Sequence, residues 1–120
     1  MTKRILIVDD EKPLAKALEL KLIHEDFEAK AVYNGVDAIT ELGAKPYDLV
    51  LLDLVMPQED GFTVLANIQK LKLKTSVIVS SNLSQEEDID KAKSLGAIDY
   101  FIKSDTTLAE IVDKINKYMR

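Results

Sequence analysis

Asp53 closes an apolar run, Val50, Leu51 and Leu52, and is followed by Met56, Pro57 and Gly61 at spacings of three, four and eight. A carboxylate at the end of a buried strand is costly unless a cation or hydrogen-bond donors meet it. The chain offers partners at comparable places: Asp9 and Asp10 follow an earlier apolar run, Ser81 follows a later one, and Lys103 follows the last. Three carboxylates sharing a cleft repel one another and rise in pKa unless a cation sits among them. Mg²⁺ suits such a set, because it takes one or two carboxylates and keeps its other octahedral positions for water and phosphate oxygens. One carboxylate then remains free to react. A carboxylate can attack phosphorus to give an aspartyl phosphate, while a metal and an ammonium neutralise the transferring oxygens. In this reading Asp53 is the nucleophile, Lys103 the cation and the Ser81 hydroxyl a donor, with Asp9, Asp10 and Asp53 around the metal.

Such residues must be carried to one place by the elements they end. Apolar runs at Ile5–Val8, Ala29–Val32, Leu49–Leu52, Val77–Val79 and Ile98–Ile102 predict five strands. The stretches between them are long enough for helices, and alternation of this kind implies a parallel sheet covered on both faces. Helical spacing is carried by Leu14, Leu18 and Leu22; by Val36, Ile39 and Leu42; by Phe62, Leu65 and Ile68; and by Leu108, Ile111, Val112, Ile115 and Met119. Ser84 with Glu87, and Thr107 with Glu110, each read as a reciprocal cap at a helix start. Pro13 suits a first helical turn. A helix over roughly residues 85–95 has only Ile89, Ala92 and Leu95 to pack, and is expected to be the most weakly held. In an open sheet of this kind ligands bind outside the carboxyl ends of the strands, which is where Asp9, Asp10, Asp53, Ser81 and Lys103 fall. Their convergence from four segments is more informative than any one of them.

At 120 residues the chain makes one domain, residues 1–120, with no second core. A formal charge of −5 disfavours direct binding to nucleic acid or to an anionic membrane. There is no cysteine, hence no disulfide and no thiol nucleophile, and no apolar run approaches a membrane span. The expectation is a soluble, cytoplasmic domain.

With these residues in place, the chain resembles the receiver domains of two-component response regulators, of the single-domain type, over nearly its full length. The resemblance rests on Ile7-Val8-Asp9-Asp10-Glu11, on Asp53-Leu54-Val55-Met56-Pro57 with Gly61, on Ser81, and on Gly96-Ala97 with Asp99-Tyr100 and Lys103. It implies a doubly wound α/β fold, flavodoxin-like, with five parallel strands in the order 2-1-3-4-5 and five helices on both faces. It also implies that Asp53 takes a phosphoryl group from a sensor histidine kinase or phosphotransfer protein. Asp9 and Asp10 would bind Mg²⁺ directly or through water, with the Val55 backbone carbonyl as a further ligand. Ser81 and Tyr100 would reorient, repacking the face of helix four, strand five and helix five so that it controls a downstream output protein or a phosphorylation-dependent dimer. The domain would catalyse only its own phosphorylation and slow dephosphorylation. Two positions depart from the family pattern. Ser104 stands where a proline with a cis bond is usual; a cis bond before any other residue costs roughly 2.5–4 kcal/mol, so the loop carries that strain or is trans. Asn82 replaces a small residue beside the approach to Asp53.

Blander readings exist for each residue. A lone Asp-Asp pair after a strand is more often a cap than a metal site, Lys103 alone is a solvated strand end, Ser81 alone a hydroxyl on its own backbone, and Tyr100 a packed strand aromatic. His24, the single histidine, reads as a solvated helix end beside Lys21, Glu25 and Asp26. Lys114, Lys117 and Arg120 read as charges favoured near a helix C-terminus. Competing functions are a phosphorylation-independent scaffold and an aspartate-nucleophile, Mg²⁺-dependent phosphatase. The latter, of haloacid dehalogenase type, carries a second Asp two residues after the nucleophile, where this chain has Val55. A flavin protein of related topology needs a phosphate loop that Asp9-Asp10-Glu11 would repel.

Overall fold

A computed structural model describes residues 2–56, 60–71 and 73–120. Pro57 of the Asp53 motif lies outside these residues. Five strands, β1 (Arg4–Val8), β2 (Glu28–Val32), β3 (Leu49–Leu52), β4 (Ser76–Ser81) and β5 (Asp99–Ile102), alternate with α1 (Lys12–His24), α2 (Gly35–Ala44), α3 (Gly61–Lys70), α4 (Glu86–Ser94) and α5 (Leu108–Met119). All pairings are parallel and the sheet order is β2-β1-β3-β4-β5.

Successive side chains on a strand point to opposite faces, and the core divides accordingly. Leu6, Val8, Val50, Leu52, Val77 and Val79 pack with Ala38, Leu42, Val64, Leu65 and Ile68. Ile5, Ile7, Leu49, Leu51, Ile78 and Phe101 pack with Ala15, Leu18, Leu22, Ile111, Val112 and Ile115. Both faces of β1, β3 and β4 are therefore dry, which is why each holds a continuous apolar run, Ile5–Val8, Leu49–Leu52 and Val77–Val79, rather than an alternating one.

The expected capping box at Thr107 and Glu110 is present, and Pro13 lies in the first turn of α1. The cap expected at Ser84 is not formed: α4 starts with Gln85 as N-cap and no side-chain cap bond, so Asp88 rather than Glu87 occupies the third helical position. Val36 is 48 % exposed, and α2 buries Gly35, Ala38 and Leu42 instead, with Asn34 capping its start through the Asp37 amide at 2.8 Å. Ile98 also faces outward and precedes β5. In α4 only Ala92 is fully buried, with Ile89 and Leu95 partly so, leaving it the thinnest packing of the five helices described. Gly96 ends it at φ 107°, a left-handed position that glycine takes without steric cost.

At the opposite end of the molecule His24 is exposed, as expected. Arg120 bonds the Glu25 carbonyl and lies 4.8 Å over the Phe27 ring, so it ties α5 to the end of α1. Lys114 reaches sideways to Asp99 at 3.2 Å, an ion pair rather than a helix-end charge.

Candidate functional site

Strand register alone brings the acids together. Val8 pairs with Leu52, so Asp9 and Asp53, the next residue of each strand, leave the sheet side by side. Their backbones stay in the ladder's pattern: the Asp9 amide donates to Val32 O at 3.1 Å and the Asp53 amide to Val8 O at 2.9 Å. Asp10 follows as the exposed member, and one carboxylate oxygen from each of Asp9, Asp10 and Asp53 falls in a group no more than 4.8 Å across. Asp9 is 4 % and Asp53 6 % exposed.

Lys103 arrives from the end of β5, in a short 3₁₀ turn over Lys103–Asp105. Its Nζ lies 2.8 Å from Asp9 Oδ2, 3.3 Å from Asp53 Oδ2 and 3.5 Å from Glu11 Oε1. The remaining oxygens of the buried acids are met by backbone donors, the Glu11 amide to Asp9 Oδ1 at 2.9 Å and the Val55 amide to Asp53 Oδ1 at 3.3 Å. Burial pushes the Asp53 carboxyl above the usual range, opposed by Lys103 and reinforced by the neighbouring Asp9 charge. Burial raises Asp9 as well, against the bonds from Lys103 and the Glu11 amide. Burial by itself would lower Lys103, but its bond to Asp9 and the charges of Asp53, Asp9 and Glu11 prevail and hold it above the usual lysine range. One ammonium thus pairs with three acids, and a fourth, Asp10, stands in the same group as two of them. The excess of negative charge, the all-oxygen donor set and the exposed edge at Asp10 fit a hard divalent cation such as Mg²⁺.

Asp10, Glu11, Asp53, Val55, Asn82, Leu83 and Lys103 line an open cleft of about 340 Å³, so the group of acids is reached from solvent. Gly61 is fixed by this geometry. Its amide donates to Leu54 O at 2.9 Å, and a Cβ placed on it would stand 2.3 Å from Asp53 O and 2.6 Å from Leu54 Cα. Only glycine lets α3 begin against the backbone of Asp53.

Ser81 stands at the strand end, as expected, with its hydroxyl turned to the backbone. It is the last residue of β4 and fully buried, and its Oγ accepts from the Leu83 amide at 3.2 Å. Among the described residues no hydrogen bond joins it to Asp53 or Lys103. Tyr100 donates to the Leu83 carbonyl at 2.6 Å and packs against the core beneath α4. Ser81 and Tyr100 therefore meet at one backbone residue, Leu83. No cis peptide bond occurs among the described residues, so Ser104 follows Lys103 through a trans bond. Its amide donates to Asn82 Oδ1 at 2.8 Å, a contact that sequence reasoning did not foresee. Glu11 was legible only as part of the matched stretch; its signal was a third consecutive acid after β1.

Residues 5–116 match the family model described as the response regulator receiver domain. Similar solved structures include the response regulator TrrA of Thermotoga maritima in complex with Mg²⁺–BeF, 32 % identical, covering 97 % of this chain and 98 % of that one with a TM-score of 0.83. A DNA-binding response regulator of the LuxR family from Staphylococcus aureus is also 32 % identical, over 96 % of this chain and 97 % of that one, at a TM-score of 0.86. The receiver domain of a Francisella response regulator is 25 % identical, over 97 % and 95 %, at 0.89.

Proposed function

As a member of the response regulator receiver family, this chain is, we propose, a phosphoacceptor switch that takes a phosphoryl group on Asp53. The observation that carries the reading is the buried carboxylate of Asp53 within 3.3 Å of the Lys103 ammonium, beside Asp9 and Asp10 and open to a cleft. Asp53 attacks the phosphorus of a phosphohistidine, or of a small acyl phosphate, in line. The bond to the donor's leaving atom breaks as the Asp53 oxygen bond forms. Asp9, Asp10 and Asp53, with the Val55 carbonyl, are the residues that would hold Mg²⁺, whose bound charge neutralises phosphoryl oxygens. The relative from Thermotoga maritima, in complex with Mg²⁺–BeF, supports that assignment. Lys103 supplies the second positive charge and needs no proton transfer to do so. Water then hydrolyses the acyl phosphate slowly and resets the site.

The output follows from a population shift: phosphate must favour one arrangement of the cleft over the other. Ser81 turns its hydroxyl from the Leu83 amide toward the phosphoryl group. That frees the Leu83 segment, on whose carbonyl Tyr100 is latched. The thin packing of α4 makes it the element most easily displaced, so α4, β5 and α5 form the face that an output protein, or a second copy, reads. The reading places the protein in the cytoplasm, beside a sensor kinase. Among the described residues no helix is long and apolar enough to cross a membrane.

Acetyl phosphate with Mg²⁺ is the test. The expected product carries one phosphoryl group that alkali or hydroxylamine removes, as they do an acyl phosphate, and it does not form when the metal is chelated. A phosphate that survives neutral hydroxylamine would instead be an ester on a hydroxyl and contradict the reading.

A further inference from the structure

Asn82 follows the last residue of β4, Ser104 follows Lys103, and the Ser104 amide donates to Asn82 Oδ1 at 2.8 Å. The last paired residues of β4 and β5 are Ser81 and Ile102. The bond therefore lies just past the end of the main-chain ladder and continues it with a side chain, whose Oδ1 is an amide carbonyl like the acceptors the ladder uses. Lys103 is thereby bracketed, with Ile102 held by the ladder and Ser104 by Asn82. The bracket matters because a lysine has a long, rotamer-rich stem. Fixing its Cα narrows the positions open to the ammonium, which lies 2.8 Å from Asp9 and 3.3 Å from Asp53. The other local restraint is weaker in part: Thr106 Oγ1 bonds the Ile102 carbonyl at 2.8 Å, but the Thr106 amide reaches the Lys103 carbonyl only at 3.4 Å.

We infer that Asn82 is a positioning residue for Lys103, acting through the Ser104 N–H to hold the lysine's backbone against the segment that carries Leu83. This rests on the phosphoacceptor reading for its effect on rate. Asn82 sits between Ser81 and Leu83, so the same bond joins the cation of the site to the segment on which Ser81 and Tyr100 converge.

The test is a cycle of Asn82→Ala and Ser104→Pro, alone and together, read as the rate of labelling by acetyl phosphate and Mg²⁺ and by NMR of the Ser104 amide and the Lys103 side chain. Losing one hydrogen bond that orients the cation is expected to slow labelling roughly three- to tenfold in Asn82→Ala. The Ser104 amide should move upfield and the Lys103 Cε resonance should shift. Proline has no N–H, so in the Ser104→Pro background the same replacement should change the rate less than about twofold. A purely steric effect of Asn82 on the cleft would alter the rate equally in both backgrounds and would overturn the inference, as would an unchanged or faster rate in Asn82→Ala. If the wild type takes no label, the phosphoacceptor reading fails by itself. The Ser104 and Lys103 resonances of Asn82→Ala, measured without any phosphodonor, then still decide whether Asn82 positions the lysine.

Discussion

Lys103→Ala is expected to remain folded, to label with acetyl phosphate about 10²–10³-fold more slowly than the wild type, and to be less stable without metal. The rate follows from removing a preorganised positive charge from the oxygens of the transferring group, an effect of the size seen for a lost transition-state donor. The stability loss follows from what Lys103 leaves behind. Asp9 and Asp53 are buried and their carboxyl pKa values already stand above the usual range because of that burial. Breaking a fully buried pair by removing one partner costs about 3–5 kcal/mol. This site opens to a cleft and its acids keep the Glu11 and Val55 amides, so a loss of about 1–3 kcal/mol is expected. Without the ammonium both folded-state pKa values rise further, while those of the unfolded chain stay ordinary. The folded protein then holds more protons than the unfolded one between the two values, and its stability falls as pH rises through that window. Melting curves should show the variant's deficit in full at neutral pH, shrinking as pH falls through the raised carboxyl pKa values and gone below about pH 4, where the acids are protonated in both states. A deficit independent of pH would mean that Lys103 contributes packing and not charge.

Asp53→Asn is expected to do the reverse to the fold. Three acids, Asp9, Glu11 and Asp53, share one ammonium, with Asp10 grouped beside them, and the Asp53 carboxyl is held above its ordinary pKa by burial first and by Asp9 as well. A folded pKa raised above the unfolded one costs stability above the folded value and costs nothing below the unfolded one. The neutral amide removes that cost, so the metal-free variant should melt higher at neutral pH and match the wild type in acid. A gain on the order of 1 kcal/mol corresponds to a few degrees at this chain length. Mg²⁺ should then discriminate the two proteins in the opposite sense. At a concentration a hundredfold above its dissociation constant a ligand of the folded state adds about 2.7 kcal/mol, available to the wild type and diminished in the variant. A metal-dependent shift of equal size in both would remove Asp53 from the metal's surroundings.

The central strands were legible because the sheet is dry on both faces there. Ile5–Val8 and Leu49–Leu52 are unbroken apolar runs for that reason, and their ends place Asp9 and Asp53 by register alone. The convergence of Lys103 was legible for the same reason, since the residue just after β5 must reach the same edge of the sheet. Local signals were less secure. Ser84 with Glu87 has the spacing of a capping box, yet the helix begins one residue later, with three acids, Glu86, Glu87 and Asp88, in its first turn. Val36 has helical spacing but points outward, because Gly35, Ala38 and Leu42 hold the buried face of α2. The Ser81 hydroxyl could be placed at the strand end but not oriented, since its bond to the Leu83 amide is a matter of loop conformation. The Asn82–Ser104 bond spans 22 residues of sequence, and its two members were visible only as separate departures from the family pattern. Periodicity finds faces and ends; pairings between loops depend on the assembled edge.

The most direct measurement of the central claim is intact-protein mass spectrometry of the wild type and Asp53→Asn after incubation with acetyl phosphate and Mg²⁺. The wild type should gain a single phosphoryl group and the variant none, although the variant is folded and, without metal, melts no lower. Equal labelling of the two would place the acceptor elsewhere and contradict the account, and so would a wild type that stays unlabelled with both acetyl phosphate and a histidine-kinase donor.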